Sequence, residues 1–255
     1  MARGKLKFIT GEPAALLPGR IVVIADLHLG AEYEMRKAGL AIPSQTARLL
    51  ESTLELGKNA RARKIIILGD VKHMVPGLTF QEKREVPHFL NALNREFDVE
   101  VVLGNHDGGI ERLVPKIKFH PSSGILVGDV YLSHGHTNPS TGFLRASHVL
   151  VGHNHPLIEF RDRLGYVWRE RVWVRAELDV KAVQKFGSID GRAGPNVPLP
   201  ELIVMPAYND ISGGRPLNSP EDDKVFMGPL ARAAKSKDAK IYLLDGTYLG
   251  RLSAL

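Results

Sequence analysis

The sequence predicts an α/β fold of two facing mixed β-sheets flanked by helices. Three observations predict it. The first hundred residues alternate apolar runs with amphipathic stretches in the order strand–helix–strand–helix–strand, the pattern of a parallel sheet with helical crossovers. The second half carries short apolar runs joined by tight-turn dipeptides, with few helices between them, which reads as a second, mostly antiparallel sheet. The 255 residues, 44% hydrophobic and 24% charged with no cysteine, can bury a core without disulfides. The length alone suits one large domain or two small ones.

Taken in order, "VVIA" (22–25), "KIIIL" (64–68) and "VEVVL" (99–103) read as buried strands, and each ends in polar residues. Between the first two, "SQTARLLESTLELGKNARA" has apolar residues at helical spacing, with Ser44 after Pro43 as candidate N-cap. Between the second and third, "TFQEKREVPHFLNALNREF" is helical, and Pro87 predicts a break or kink. Beyond residue 120, "GILVGDVYLSHG" predicts a hairpin at Gly128-Asp129, and "AKIYLLDGTYLGRL" another at Asp245-Gly246. "SHVLVGHNHP", "PLIEFRDRLGYVWRERVWVRAEL" and "ELIVMPA" supply further strands. Residues 186–200 and 207–229 read as loop-rich.

Composition excludes several chemistries. Without cysteine there are no thiolate metal sites, thiol nucleophiles or disulfides. No apolar run reaches membrane-spanning length. The first twenty residues lack the apolar core of a signal peptide, so the expected location is cytoplasmic. Residues 1–175 hold 24 Lys/Arg and 18 Asp/Glu, and the remainder 10 of each, so the whole net charge of +6 sits in the first part. That bias suits an anionic partner such as nucleic acid, and equally plain solubility.

The candidate chemistry lies where the runs end: Asp26 and His28 in "ADLHLG", Asp70 in "LGDVKH", Asn105, His106 and Asp107 in "LGNHDG", His134 and His136 in "SHGHT", His153 and His155 in "VGHNHP". Such strand ends cluster at the carboxyl edge of an open α/β sheet. In an extended chain residues i and i+2 share a side, so Asp26 with His28, and His153 with His155, can grip an ion together. Carboxylate, imidazole and amide without sulfur suit Mn²⁺, Fe²⁺ or Zn²⁺ in a reactive rather than a structural site.

The ordered set Asp-x-His, Gly-Asp-x-x-His, Gly-Asn-His-Asp, His-Gly-His and Gly-His-x-His resembles that of the calcineurin-like metallophosphoesterases. The longer stretches "DLHLGAEYEMRKAGLAIP" and "ELIVMPAYNDISGG" resemble a narrower branch: archaeal proteins related to the SbcD nuclease, similar to bacterial ligase-associated DNA-repair phosphoesterases. The resemblance implies a four-layer αββα sandwich, one domain over residues 1–255, and two divalent ions, Mn²⁺ foremost, with Fe²⁺ or Zn²⁺ as alternatives. It implies Asp26, His28 and His155 on one ion, Asn105, His134 and His153 on the other, and Asp70 bridging. Metal-activated hydroxide would attack phosphorus in line. His106 would protonate or stabilise the leaving oxygen, with Asp107 orienting and charging it.

Around this set, His73 would either position a nucleic-acid phosphate or hydrogen-bond a ligand. Arg36 would clamp a phosphate bidentately or form a structural ion pair. His136 lies outside the usual ligand set. "RDRLGYVWRERVWVR" would be a basic, aromatic face for single strands or, as favoured here, a strand with one buried and one solvated face. The expected substrate is a phosphodiester in nucleic acid, giving nuclease activity in DNA repair. The alternatives are a small or cyclic nucleotide, or a nucleic-acid-binding subunit that depends on a partner. A homo-oligomer or a repair-protein partner is compatible with either.

Overall fold

Runs of valine and isoleucine pair side by side to form the first sheet of this computed structural model, which describes residues 6–40, 42–186, 198–219 and 226–255. Its strands are β1 (Lys7–Phe8), β2 (Ala15–Leu17), β3 (Ile21–Ile24), β4 (Lys64–Leu68), β5 (Asp98–Val102) and β6 (Lys118–His120), in that spatial order. From β3 to β6 all pairings are parallel, Ile24 opposite Ile67 and Leu68 opposite Val102. The carboxyl ends of β3, β4 and β5 therefore lie together. The "GEPAALLPGR" stretch, unassigned by sequence, supplies β2, which pairs antiparallel with β3.

Three helices belong to this half: α1 (Glu32–Lys37), α2 (Thr46–Asn59) and α3 (Phe80–Glu96). The N-cap of α2 is Gln45, not Ser44. The Ser44 hydroxyl still accepts from the Thr46 amide at 3.3 Å, but it also donates to Glu85 at 2.8 Å, which draws it off the helix axis position. Helix α3 runs through Pro87 unbroken. It starts with a complete capping box: Thr79 takes the Glu82 amide and Glu82 takes the Thr79 amide. That start, and a buried face of Val86, Phe89, Leu90 and Leu93, outweigh the one hydrogen bond that proline removes.

The second sheet runs, in spatial order, β13 (Arg215–Pro216), β10 (Pro156–Arg161), β11 (Val167–Ala176), β12 (Glu201–Val204), β9 (His148–Val151), β8 (Val130–Ser133) and β7 (Ile125–Val127). Strands β14 (Lys240–Leu243) and β15 (Tyr248–Arg251) join it at β11. The hairpins expected at Gly128-Asp129 and Asp245-Gly246 are β7–β8 and β14–β15. Five strand pairings in this sheet are antiparallel and three are parallel, β9 with β8 and β12 among the latter. Two short helices, α4 (Val180–Val183) and α5 (Pro229–Arg232), were not legible. Of the expected loops, residues 187–197 and 220–225 lie outside the described residues.

Alternation along each strand builds three apolar layers. Val22, Ile24, Ile65 and Ile67 face α2 and α3. Val23, Ile66, Leu68 and Val102 face the second sheet through Leu132, Leu150, Ile203 and Trp173. On the far side, Val149, Val151, Val172 and Val204 pack on Val183, Phe186, Leu230 and Ala231 around α4 and α5. Helix, sheet, sheet, helix is the resulting order.

Candidate metal centre

The parallel register brings five strand ends to one place. Asp26 follows β3, Asp70 follows β4, Asn105 follows β5, His134 follows β8, and His153 and His155 follow β9. With His28 they form two groups, Asp26 with His28 and His155, and Asp70 with His134 and His153, each with its ligand atoms within 4.8 Å of one another; a third such group, His28 with His73 and His106, adjoins the first. The His28 and His155 Nε2 atoms are 3.2 Å apart, and His155 Nε2 is 3.3 Å from Asp26 Oδ1. In the second group His134 Nε2 lies 3.2 Å from His153 Nδ1, 3.0 Å from Asn105 Oδ1 and 3.3 Å from Asp70 Oδ2. Asp70 Oδ2 is also 3.6 Å from His28 Nε2, so this oxygen stands between the groups.

The expected side-sharing of i and i+2 is not how the pairs meet. Asp26, His28, Asp70, His153 and His155 all have positive φ, between 42° and 69°, so neither pair is extended. Asp26 and His28 still share a group, but His153 and His155 are sent to different ones. Strand geometry, on which period-2 side-sharing depends, does not continue past the strand. The chain instead turns at each strand end, where its polar groups are wanted.

Donor chemistry and spacing fit divalent ions. Donors bound at about 2.0–2.2 Å to one ion lie roughly 3–3.5 Å from one another, close to the separations above. His134 Nδ1 donates to the Leu68 carbonyl at 2.8 Å, so Nε2 is the nitrogen that faces the site and, in the neutral ring, the one that would offer a lone pair to an ion. His155 Nδ1 meets the Gly213 carbonyl at 3.2 Å in the same way. Burial, helped by His155, pushes His28 down to about 3, and burial with the His134 charge pushes His153 down to about 4; both rings stay neutral. Burial opposes ionisation of Asp26 and Asp70, but His155 and His134 respectively outweigh it and hold both carboxyls below the usual range. Burial would also discharge His134, yet Asp70 and Asp26 push it up to about 9.

The neighbours differ from expectation. Asp107 does not orient His106. Its two oxygens accept the Val71 and Gly104 amides, both at 2.8 Å, and tie the β4 and β5 ends together. Burial and the nearby Asp70 raise it to about 6. The partner of the His106 ring is the His73 carbonyl, through Nδ1, and His106 Nε2 lies 3.8 Å from Asp70 Oδ2. His73 Nδ1 is 3.4 Å from His28 Nδ1, the ring atom turned away from the ligand group. Arg36 makes no ion pair among the described residues; it binds Gln81 Oε1 at 2.6 Å and the Ile42 carbonyl. The His136 ring meets that of His134 edge-on and that of His153 at a tilt, and burial pushes it down to about 4.

Sequence reasoning missed the supports. Asn209 donates to the Leu27 carbonyl at 2.8 Å, and the Tyr208 amide to the Ala25 carbonyl, so "MPAYNDIS" holds the Asp26 loop from the second sheet. Glu82, buried, accepts the His73 and Met74 amides. An asparagine in the loop that follows β12, and a glutamate at the third position of a helix, were the available signals. Of the proposed arginine face, Arg169 is paired with Glu159, Arg171 binds the Ala207 and Tyr208 carbonyls, and Trp173 is buried against Phe8. The segment is a strand, as the ordinary reading has it, but not one with a buried and a solvated face: Trp168, Arg169 and Glu170 are all exposed, and Val172, Trp173 and Val174 are all buried.

One solved structure shares the architecture over nearly the whole chain. The nuclease MPE of Pseudomonas putida is similar over 94% of this chain and 98% of its own, at 18% identity and a TM-score of 0.54. The phosphoesterase YfcE of E. coli is similar over 56% of this chain and 73% of its own, at 20% identity and a TM-score of 0.37. No curated protein matches the sequence significantly. The family model described as calcineurin-like phosphoesterase matches residues 19–193, well over half of the chain, and with its ligand-rich strand ends the protein belongs to that family of metal-dependent phosphoester hydrolases.

Proposed function

We propose that the protein hydrolyses phosphodiesters in nucleic acid, with the whole chain as one catalytic domain. The observation that carries the reading is Asp70. Its Oδ2 lies within 3.6 Å of imidazoles from both ligand groups, and Oδ1 accepts the His106 amide at 2.9 Å. In this reading Asp26, His28 and His155 would hold one ion, Asn105, His134 and His153 would hold the other, and Asp70 would serve both, with Mn²⁺ the foremost candidate. Such a pair, when bound, supplies positive charge for a phosphate and brings the pKa of bound water near neutrality.

The chain's own groups do the rest. His106, with its Nδ1 fixed on the His73 carbonyl, gives the proton on Nε2 to the leaving oxygen in its imidazolium form. His73 holds the His28 ring through Nδ1, which keeps the His28 Nε2 lone pair on the ion side. Asp107 keeps the two strand ends that carry Asp70 and Asn105 in register. The nucleic-acid assignment is supported by the charge of the first 175 residues and by the likeness in fold to a protein described as a nuclease.

A hydrolysis panel with Mn²⁺ tests the reading: a generic diester, a monoester, cyclic nucleotides, and single- and double-stranded DNA and RNA. Cleavage of the generic diester and of a polynucleotide, abolished by chelator, is expected. Cleavage of monoesters or cyclic nucleotides alone would replace it with a small-nucleotide activity. Silence toward every ester would favour a partner-dependent subunit.

A further inference from the structure

A cavity of about 680 Å³ adjoins the second ligand group and shares His153 with it. Its walls come from three places: the loop after β8 with His136 and Asn138, the residues after α4 with Lys185 and Phe186, and α5 with the residues just before it, from Met227 to Arg232. The lining is of two kinds. Phe186, Met227 and Pro229 are its apolar side chains. Lys185 and Arg232 are exposed, and neither side chain has an ion-pair or hydrogen-bond partner among the described residues. The buried Nδ1 of His136 also has no hydrogen-bond partner among the described residues.

This wall is fastened to the metal loop. The Met227 amide donates to Asn154 Oδ1 at 2.7 Å, and Asn154 sits between His153 and His155. Gly228, at φ 77°, is pressed so closely on residue 135 that a Cβ would run into the Gly135 carbonyl. The cavity is thus pre-formed and in fixed relation to the ligand groups, as binding pockets of this size generally are.

We propose that this cavity is a nucleoside subsite, which takes the nucleoside joined to the scissile phosphate. The proposal rests on the phosphodiester reading above. A base offers a flat apolar face to Phe186 and Met227, and hydrogen-bonding edges to Asn138 and His136. The next phosphate of the strand offers charge to Lys185 and Arg232. An alkyl or lipid ester would leave the polar groups unmatched, and a bare phosphate would leave the apolar side empty.

The test compares catalytic efficiency on three substrates with Mn²⁺ bound: bis(nitrophenyl) phosphate, thymidine 5′-nitrophenyl phosphate and a short oligonucleotide. The parent should prefer the thymidine ester to the generic diester by tenfold or more. Ala182→Trp, which fills the cavity, should abolish that ratio with metal content retained. Lys185→Ala with Arg232→Ala should lower the ratio of oligonucleotide to thymidine ester. A parent that cuts oligonucleotides without the nucleoside preference, or a preference that survives Ala182→Trp, overturns the subsite and leaves the nucleic-acid reading standing. A parent that cuts no oligonucleotide overturns the nucleic-acid reading instead. In that case a preference lost in Ala182→Trp upholds the cavity as a site for small nucleotides, and no preference overturns it.

Discussion

At Asp70 one carboxylate faces His28, His134 and the His106 amide together, so its loss should be felt by both ligand groups. Asp70→Asn keeps the volume but removes a charge and one acceptor oxygen. It is expected to bind fewer than two metal equivalents by elemental analysis, and added Mn²⁺ should restore activity to chelated parent but not to the variant. Gly104→Ala should resemble it, because a Cβ there would strike the Asp70 carboxylate. His106→Ala should separate chemistry from metal: full metal content, with a rate loss of roughly 10²–10⁴-fold on a poor leaving group and a smaller one on nitrophenolate. An equal loss on both would reject the proton-donor role. These residues were legible because their types are unusual after buried strands. Their aim was not, since it depends on left-handed backbone that period-2 reasoning does not contain.

Among the elements, β5 and α3 carry the clearest consequences. Glu100 on β5 is buried beside Lys64, Lys118 and His120. Burial alone would raise it, but Lys64 and His120 pull it down to about 2 from an ordinary 4.5. A depressed carboxylate adds stability that is complete above its unfolded pKa and is lost as pH falls through the folded one. Glu100→Gln should therefore flatten the loss of stability between about pH 4.5 and 2 seen in urea titrations of the parent. An unchanged acid limb would mean that the cluster contributes nothing. Helix α3 shows why a proline misleads: local sequence displays the missing donor but not the capping box or the four buried side chains that hold the helix. The β11 arginines show the converse, since their partners, Glu159 and the 207–208 carbonyls, are remote or main-chain.

For the whole molecule, the ligand groups unite strand ends of both sheets, so ions that bind them should fasten the sheets together. Binding confined to the native state stabilises by about 2.7 kcal/mol at a hundredfold excess over Kd. Chelated protein should accordingly melt lower than Mn²⁺-loaded protein, and the gap should close in Asp70→Asn. The alternation of strand and helix made the first sheet legible, and turn dipeptides located two hairpins of the second. The order of strands in the second sheet was not legible, because β9 and β12 pair in parallel across fifty residues of intervening chain. Nor were β1, β6, α4 and α5, each of two to four residues, too short for any period to register.

The five left-handed residues also set the reaction against the persistence of the fold. Outside glycine this backbone costs on the order of 1–2 kcal/mol per residue, and at His153, φ 69°, the side chain adds a desolvated imidazole beside a charged one. A lineage released from catalysis would be driven toward glycine at such positions. In metal-free protein His153→Gly is expected to melt above His153→Ala by a few degrees, the reverse of the usual ranking of these residues, while both lose activity. Decayed descendants of this enzyme should then be recognisable by Asp and His that have become Gly before the strands themselves erode. Equal melting of the two variants would show that the catalytic loops are held at no cost to the rest of the molecule.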